Sequence, residues 1–281
     1  MSDEVVTTVW HNGDLLDQAD VRLSPFDHGL LTGDGVFETL KVTGGRVFAV
    51  RRHYERLLSS ATGLGLRAGV PSEDELRRAM AEVVAANDVA EGRVRVTITG
   101  GPSPLGSDRG HAEPTVLVAA TSMNPWPPTS DVVVVPWPRN ERGALAGLKT
   151  ISYGENVVAL AYAREQGAGE ALFPNTAGNL CEGTGTNVFA VFAGRLVTPP
   201  LASGCLAGVT RALVLETTDA VEEDIPLDTL LTADEAFLTS TTRDIQPIRA
   251  IDGKVLPSAP GPVTTEAMAA FTTLSAQDLD P

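Results

Sequence analysis

The chain has 281 residues, of which 43% are hydrophobic and 20% are charged. This composition supplies a large buried core and excludes a disordered chain, a collagen-like chain and a small disulfide-stapled domain. The net charge of −15 repels phosphate backbones, so nucleic acid is not an expected partner.

Targeting and metal-binding signals are missing from the sequence. No apolar run reaches the roughly 20 residues of a membrane span, and Met1–Glu4 form no apolar leader. We therefore expect a soluble, cytoplasmic protein with no membrane partner. Cys181 and Cys205 fit no metal-ligand spacing, so no metal is expected, and both should be buried, reduced thiols.

A stretch rich in proline and polar residues at positions 121–130 lies between two strand-like runs and predicts a linker. It divides the chain into a small α/β domain at 1–120 and a larger domain at 131–281. The first domain is predicted to contain, in chain order, a strand at 5–10, a turn at Asn12-Gly13, strands at 36–42 and 46–50 joined at Gly44-Gly45, helices at 51–64 and 72–87, and strands at 93–99 and 115–120.

The second domain is predicted to mix short strands with two helices. Its predicted elements are a strand at 132–135, a helix at 156–166, strands at 170–173, 188–192 and 195–198, a helix at 208–218, and a strand at 235–239 with a polar turn at 240–242. The sequence contains no phosphate-binding loop, dinucleotide fingerprint, serine-nucleophile elbow or zinc-protease motif. This argues against the enzyme classes that depend on those motifs.

Three features point to chemistry. Lys149 is flanked by Leu148 and Ile151 in a region poor in lysine, and partial desolvation would make its amine nucleophilic. Glu182 lies between apolar strands and precedes small residues that let a ligand approach the backbone. The glycine-rich run 203–211 leads into a helix, whose N-terminal amides favour a phosphate. Taken singly, the three also fit a solvated lysine, a turn acid and an ordinary helix start.

Together these features resemble the class IV aminotransferases, which are the fold-type IV pyridoxal-phosphate enzymes. The resemblance spans about residues 26–247 in the family's order. The blocks that carry it are Asp27-His28-Gly29, Gly33–Thr39, His53–Leu57, Lys149, Glu182–Asn187, Gly204–Arg211 and Thr239–Thr242. It implies an α/β (α+β) fold with a small N-terminal α/β domain, a larger C-terminal pseudo-barrel domain and the cofactor between them. It also implies a homodimer.

The resemblance assigns a role to each matching residue. Lys149 is implied to form the Schiff base with pyridoxal phosphate and to act as the catalytic acid and base. Glu182 is implied to pair with the pyridine nitrogen, and Tyr153 to bond the ring hydroxyl. The residues implied to hold the cofactor phosphate are Arg56, Val209, Thr210 and Thr241.

The sequence departs from its relatives where the substrate carboxylate is held. Phe37 replaces the tyrosine of D-amino-acid aminotransferases, Ser103-Pro104 is not followed by Arg-x-His, and the branched-chain Tyr-x-Arg stretch reads Arg93-Val94-Arg95. We expect Arg95, Arg243 or Arg109 to supply the missing cation, with a surface salt bridge as the favoured role of Arg109. The candidate substrate contacts are Phe37, Arg95, Thr242 and Arg243.

The leading prediction is a pyridoxal-phosphate-dependent aminotransferase. It would move an amino group from an amino acid, with D-amino acids favoured and relaxed specificity open, to a 2-oxo acid through a Lys149 Schiff base. The alternative is aminodeoxychorismate lyase, which uses the same lysine and cofactor to release pyruvate and p-aminobenzoate. Thr39 could serve such a lyase site.

Overall fold

The computed structural model describes residues 7–281. Met1–Glu4, on which the expectation of no leader rests, and the first two residues of the strand predicted at 5–10 lie outside the described residues. The fold is mixed α/β with two sheets, as predicted. The chain divides into two compact units.

The first unit comprises the chain up to Pro125 together with Leu148–Tyr153 and Leu279–Pro281. Its antiparallel sheet has the strand order β2-β1-β6-β5-β3-β4. The strands are β1 (Thr8–His11), β2 (Asp14–Asp17), β3 (Gly35–Thr43), β4 (Arg46–Val47), β5 (Gly92–Thr99) and β6 (Thr115–Ser122). The helices are α1 (His28–Thr32), α2 (Val50–Gly63) and α3 (Glu73–Ala86).

Local sequence signals set the turns and helix starts of this unit. Asn12-Gly13 and Gly44-Gly45 all have positive φ and close two hairpins, as predicted. The Ser72 hydroxyl accepts a hydrogen bond from the Glu75 amide at 3.3 Å and caps α3.

Strand β5 alternates between a buried face and an outer face, as its sequence predicts. Val94 and Val96 are buried in the core beneath α2 and α3. Arg93 and Arg95 lie on the outer face, and Arg95 lies opposite Thr39 of β3. The outer face of β5 therefore carries its polar residues.

The segment Leu148–Tyr153 belongs to the first unit, although its sequence position led us to expect it in the second. Thr150 bridges Val36, and the Ile151 amide donates to the Gly35 carbonyl oxygen at 2.9 Å. Gly35 permits this approach because a Cβ there would lie 2.7 Å from the Ile151 side chain. The backbone bonds thus attach the segment to the start of β3.

The second unit comprises Trp126–Gly147 and Gly154–Asp278. Its sheet has the strand order β12-β11-β10-β13-β14-β7-β8-β9, with β15 paired to β14. The strands are β7 (Ser130–Val134), β8 (Glu170–Pro174), β9 (Leu180–Gly183), β10 (Asn187–Phe192), β11 (Arg195–Thr198), β12 (Val221–Glu222), β13 (Glu235–Ser240), β14 (Asp244–Ile251) and β15 (Lys254–Val255). The helices are α4 (Gly154–Glu165), α5 (Val209–Thr217), α6 (Leu227–Leu230) and α7 (Pro262–Gln277). This mixed sheet is the expected pseudo-barrel.

Candidate active site

Main-chain bonds fix the position of Lys149. Its amide donates to the Ser60 hydroxyl at 3.0 Å, and its carbonyl oxygen accepts from the Phe37 amide at 3.1 Å. The Lys149 Nζ atom lies 4.4 Å from the centre of the Phe37 ring. The backbone therefore aims the amine at an aromatic face, where the electrostatic attraction of the ring stabilises a cation.

Two other predicted residues contact the same ring. The Arg95 guanidinium carbon lies 3.9 Å from the Phe37 centroid, and the Tyr153 ring meets Phe37 edge-on at 5.3 Å. We call Phe37, Arg95, Lys149 and Tyr153 the Lys149 cluster. Arg95 Nε donates to the Thr97 hydroxyl at 3.1 Å, and within residues 7–281 no carboxylate pairs with this guanidinium. Arg95 is thus a cation suited to an anionic ligand.

Arg56 is held by a buried carboxylate that the sequence analysis did not assign. Its Nε and Nη2 atoms donate to the two oxygens of Glu38, both at 2.7 Å. His53 Nδ1 lies 2.7 Å from Glu38 Oε2. We call Glu38, His53 and Arg56 the Glu38 triad. Glu38 and His53 are each only 1% exposed.

The charges of this triad follow from its burial. Burial raises the pKa of Glu38, but Arg56 and His53 outweigh it and hold that pKa well below its usual range. Burial also lowers the pKa of His53, against the opposing effect of Glu38. A neutral His53 therefore donates its Nδ1 proton to a Glu38 carboxylate.

Glu182, on β9 of the second unit, is held at both oxygens. Its Oε2 atom accepts from the Leu206 amide at 2.8 Å. Its Oε1 atom lies 3.3 Å from Arg139 Nε, which is an ion pair without good hydrogen-bond geometry. We call Arg139, Glu182 and Leu206 the Glu182 cluster. The paired guanidinium stabilises a negative charge on Glu182.

Arg139 is a functional candidate that the sequence analysis missed. Its guanidinium carbon lies 4.1 Å from the centre of the Phe173 ring. Its Nη1 atom donates to Glu155 at 3.0 Å and to Asn156 at 3.1 Å. No local motif marks this arginine, because its partners come from distant parts of the chain.

The loop before α5 joins Glu182 to a helix start. Asn187 Nδ2 donates to the Leu206 carbonyl oxygen at 2.9 Å and so holds the loop whose amide bonds Glu182. Gly208 is the N-cap of α5, and a Cβ there would lie 2.0 Å from Asn187 Oδ1. Among the described residues, no side chain caps this helix. The amides of Val209 and Thr210 thus lie at an end of α5 that favours an anion.

Thr241 and Thr242 lie in the turn between β13 and β14, and Arg243 follows them. Arg243 Nη1 donates to Gln246 at 2.6 Å, and Nη2 donates to the buried Glu170 at 3.2 Å. Its guanidinium also stacks on Trp126 at 3.9 Å. These contacts pair the charged end of Arg243 with a carboxylate of its own unit.

Arg109 forms the expected salt bridge. Its Nε and Nη2 atoms donate to both oxygens of Asp34, at 2.7 and 2.6 Å. Further bonds to the carbonyl oxygens of Leu64 and Gly65 hold the loop that carries it. Of the three candidate arginines, Arg95 alone has no carboxylate partner among residues 7–281.

Both cysteines are buried free thiols, as expected. Burial raises the pKa of Cys205 to about 11 and raises that of Cys181 further. In the described part of the chain, no group of histidine, cysteine or acidic residues is arranged to hold a metal ion. No helix among residues 7–281 is long and apolar enough to cross a membrane.

The sequence matches the family model of the class IV aminotransferases over residues 35–251. The chain therefore belongs to this family, whose members use pyridoxal phosphate.

Similar proteins act on different amino acids. A Methanocaldococcus jannaschii protein, described provisionally as a branched-chain-amino-acid aminotransferase, is 35% identical over 257 residues, which are 88% of this chain and 89% of that protein. The D-alanine aminotransferase of Staphylococcus haemolyticus is 29% identical over 281 residues, covering 95% and 97%. The branched-chain aminotransferase of Thermoproteus uzoniensis, solved with norvaline, has a TM-score of 0.89 and 31% identity, covering 96% and 95%.

The residues described above fit this cofactor. Lys149 supplies an amine aimed by its own backbone. Glu182 supplies a carboxylate that is stabilised by Arg139 and suited to a protonated ring nitrogen. Arg56 and the start of α5 supply the donors that a phosphate requires.

Proposed function

We propose that the protein is an aminotransferase that moves an amino group from an amino acid, with D-amino acids favoured, to a 2-oxo acid such as pyruvate or 2-oxoglutarate. The observation that carries this proposal is the Lys149 cluster. It combines an amine and a carboxylate-free cation, Arg95, on one aromatic ring. An amine and an anion-binding group are what a reaction at the α-carbon of an amino acid requires.

The residues that resemble the family's cofactor contacts would hold the cofactor. Arg56, the amides of Val209 and Thr210, the Thr210 hydroxyl and Thr241 would bind its phosphate. Glu182 would face its pyridine nitrogen, and Tyr153 its ring hydroxyl. When bound, pyridoxal phosphate supplies an electron sink that stabilises negative charge at the substrate α-carbon.

Lys149 would carry the proton of the reaction. Its Nζ atom would take the proton from the α-carbon of the amino acid and later return a proton to the accepting 2-oxo acid. The bonds of the Lys149 backbone and the contact of Nζ with the Phe37 ring define where this amine would act.

Arg95 would bind the α-carboxylate of the substrate. It lies on the outer face of β5, opposite Thr39 and in contact with Phe37. Arg93 stands where branched-chain enzymes carry a tyrosine and Phe37 stands where D-amino-acid enzymes carry one, so the choice of a D-amino acid rests on neither carboxylate site. The turn Ser240–Thr242 resembles the D-amino-acid enzymes and supports the same choice.

The absorption spectrum of the purified protein tests this proposal. We expect D-alanine to convert the near-visible band of the lysine-bound cofactor into that of the pyridoxamine form, and 2-oxoglutarate to restore it. Conversion by L-leucine but not D-alanine would replace the D-amino-acid proposal with a branched-chain one. The Lys149→Ala variant, which lacks the amine, serves as the matched control.

Thr39 supports aminodeoxychorismate lyase as a second candidate. Its hydroxyl-bearing side chain lies on the outer face directly opposite Arg95, where it could assist a different anionic substrate. A cofactor band that neither D-alanine nor L-leucine converts, together with p-aminobenzoate formation from aminodeoxychorismate, would favour the lyase. Loss of that activity in Thr39→Val, which keeps the shape of threonine, would assign the hydroxyl.

We also propose a homodimer. Large apolar side chains are exposed on each unit, including Leu30 and Leu105 in the first and Val157 and Val158 in the second. Such side chains are favoured at interfaces between subunits. A molar mass measured by light scattering at twice 29.4 kDa would support the dimer, and a mass of one chain would contradict it.

A further inference from the structure

The Glu38 triad contains two residues with no assigned role, Glu38 and His53. We propose that both are positioning residues, which hold the Arg56 guanidinium in one orientation for the phosphate of the cofactor. This inference rests on the proposed phosphate-binding role of Arg56. Neither Glu38 nor His53 is proposed to touch the cofactor or the substrate.

The geometry restricts Arg56 strongly. Two of its nitrogens, Nε and Nη2, each donate to a different Glu38 oxygen at 2.7 Å. This forked contact fixes the plane of the guanidinium as well as its position. An arginine fixed before the ligand arrives loses less side-chain entropy on binding.

His53 fixes the carboxylate in turn. Its Nδ1 atom lies 2.7 Å from Glu38 Oε2, the same oxygen that accepts from Arg56 Nη2. Both oxygens of Glu38, which lies on β3, are thus engaged from one helix, because His53 and Arg56 both lie on α2. The His53 side chain is 1% exposed, so water does not compete readily for this bond.

The charges of the neighbouring groups also favour a single orientation of the Arg56 guanidinium. Glu38 neutralises Arg56, and Lys149 is a further cation that acts on His53. Burial and these neighbouring cations lower the pKa of His53, although Glu38 opposes them. A neutral His53 donates to Glu38 without adding a second positive charge beside Arg56.

The test compares two ligands that differ only in the phosphate. Dissociation constants for pyridoxal phosphate and for pyridoxal are measured with the full-length apoprotein and its variants. Glu38→Gln places an amide N–H against an arginine N–H and breaks the fork. We expect it to weaken the binding of pyridoxal phosphate about tenfold or more, and the binding of pyridoxal less than about threefold.

A matched control exists in the same unit. Asp34 and Arg109 form a fork of the same geometry, with distances of 2.7 and 2.6 Å. Asp34→Asn should lower the unfolding temperature and leave the ratio of the two dissociation constants unchanged. The proposal would be overturned if Glu38→Gln weakened the binding of both ligands equally. It would also be overturned if Asp34→Asn changed the ratio of the two dissociation constants as Glu38→Gln does.

Two variants of His53 keep the test decisive if Glu38→Gln does not fold. His53→Asn retains an N–H near the position of Nδ1 and should keep the ratio of wild type. His53→Leu removes that donor and should shift the ratio in the direction expected for Glu38→Gln. Equal ratios in the two His53 variants would contradict the positioning role.

Arg56→Gln separates this inference from the proposed function. If Arg56→Gln raises the ratio and neither the Glu38 nor the His53→Leu variant does, the positioning inference alone is wrong. If Arg56→Gln leaves the ratio unchanged, the phosphate-binding role of Arg56 is wrong, and the positioning inference is overturned with it.

Discussion

In the Lys149 cluster, two cations lie over one aromatic ring, whereas in the Glu182 cluster a carboxylate is held at both of its oxygens. Lys149 is fixed through its backbone, and its Nζ atom contacts a ring at 4.4 Å. Glu182 is fixed through its side chain, by the Leu206 amide at 2.8 Å and by Arg139 at 3.3 Å.

The difference matches what each group would have to do. An amine that forms and breaks a bond and moves a proton must keep torsional freedom at its end, and the backbone bonds of Lys149 fix the origin of its side chain. A carboxylate that stabilises charge works best when it is preorganised and does not move. We therefore propose that Lys149 carries the chemistry and that Glu182 acts through its charge.

The largest expected effect comes from removing the amine. Lys149→Ala should lower kcat about 10⁴-fold or more, because it removes both the nucleophile and the acid–base group. Lys149→Arg should not restore activity, since a guanidinium stays protonated. Steady-state transamination of D-alanine measures this, and substantial activity in either variant would end the assignment of chemistry to Lys149.

Changing the charge of the fixed carboxylate should have the next largest effect. Glu182→Gln should lower kcat about 100-fold, the scale for loss of one preorganised electrostatic contact, while the cofactor remains attached to Lys149. The matched variant Glu155→Gln removes another acidic partner of Arg139 and should change kcat little. An equally small change of kcat in Glu182→Gln and in Glu155→Gln would contradict the electrostatic role of Glu182.

Arg95 is the member of the Lys149 cluster that would bind the substrate carboxylate. Arg95→Ala should raise the Michaelis constant for the amino acid about tenfold to a hundredfold, because a charge-assisted contact is lost. Cofactor binding should not change. Arg93→Ala is the control, since Arg93 lies on the same face of β5 but makes no contact with Phe37 among those described. Similar Michaelis constants in the two variants would contradict the role of Arg95.

The smallest expected effect is the pH dependence of stability that the Glu38 triad causes. The folded pKa of Glu38 lies below its ordinary 4.5, so its stabilisation is present above about pH 4.5 and is lost as the pH falls further. The folded pKa of His53 lies below its ordinary 6.5, so the unfolded chain alone takes up a proton just below pH 6.5. Both effects lower stability in acid, by about 1–3 kcal/mol between pH 7 and pH 4.

Urea unfolding at several pH values measures this dependence. In His53→Asn the free energy of unfolding should change less with pH near pH 6, because asparagine does not titrate. Substitution of the exposed His111 by asparagine is the control and should leave the dependence unchanged. A dependence on pH near pH 6 that is equally steep in the wild type and in His53→Asn would contradict the charges assigned to the triad.

Local patterns predicted much of the fold. The alternation of β5, the two glycine-containing hairpin turns and the cap at Ser72 all depend on neighbouring residues, and the structure confirms them. Helix α7 could not be predicted from its sequence, because its many alanines and threonines form no clear apolar stripe. Strand β9 is only four residues long and gave no pattern of its own.

In the candidate site, too, only residues that lie in local sequence runs could be predicted. Lys149 and Glu182 were identified because a lysine and a carboxylate occur in recognisable runs. The roles of Arg139, Glu38 and His53 depend on partners far away in the chain, so no local spacing indicates them. The contact of Arg243 with Glu170, 73 residues away in the chain, could not be predicted for the same reason.

The most direct measurement traps the bond between protein and cofactor. The chain has three lysines, Lys41, Lys149 and Lys254, so reduction of the holoenzyme with borohydride followed by peptide mass spectrometry can separate them. We expect the phosphopyridoxyl group on the peptide that contains Lys149. When D-alanine has first converted the cofactor to its pyridoxamine form, we expect no such group on that peptide. A label on Lys41 or Lys254 instead, or no label on any lysine of the holoenzyme, would contradict the central role of Lys149.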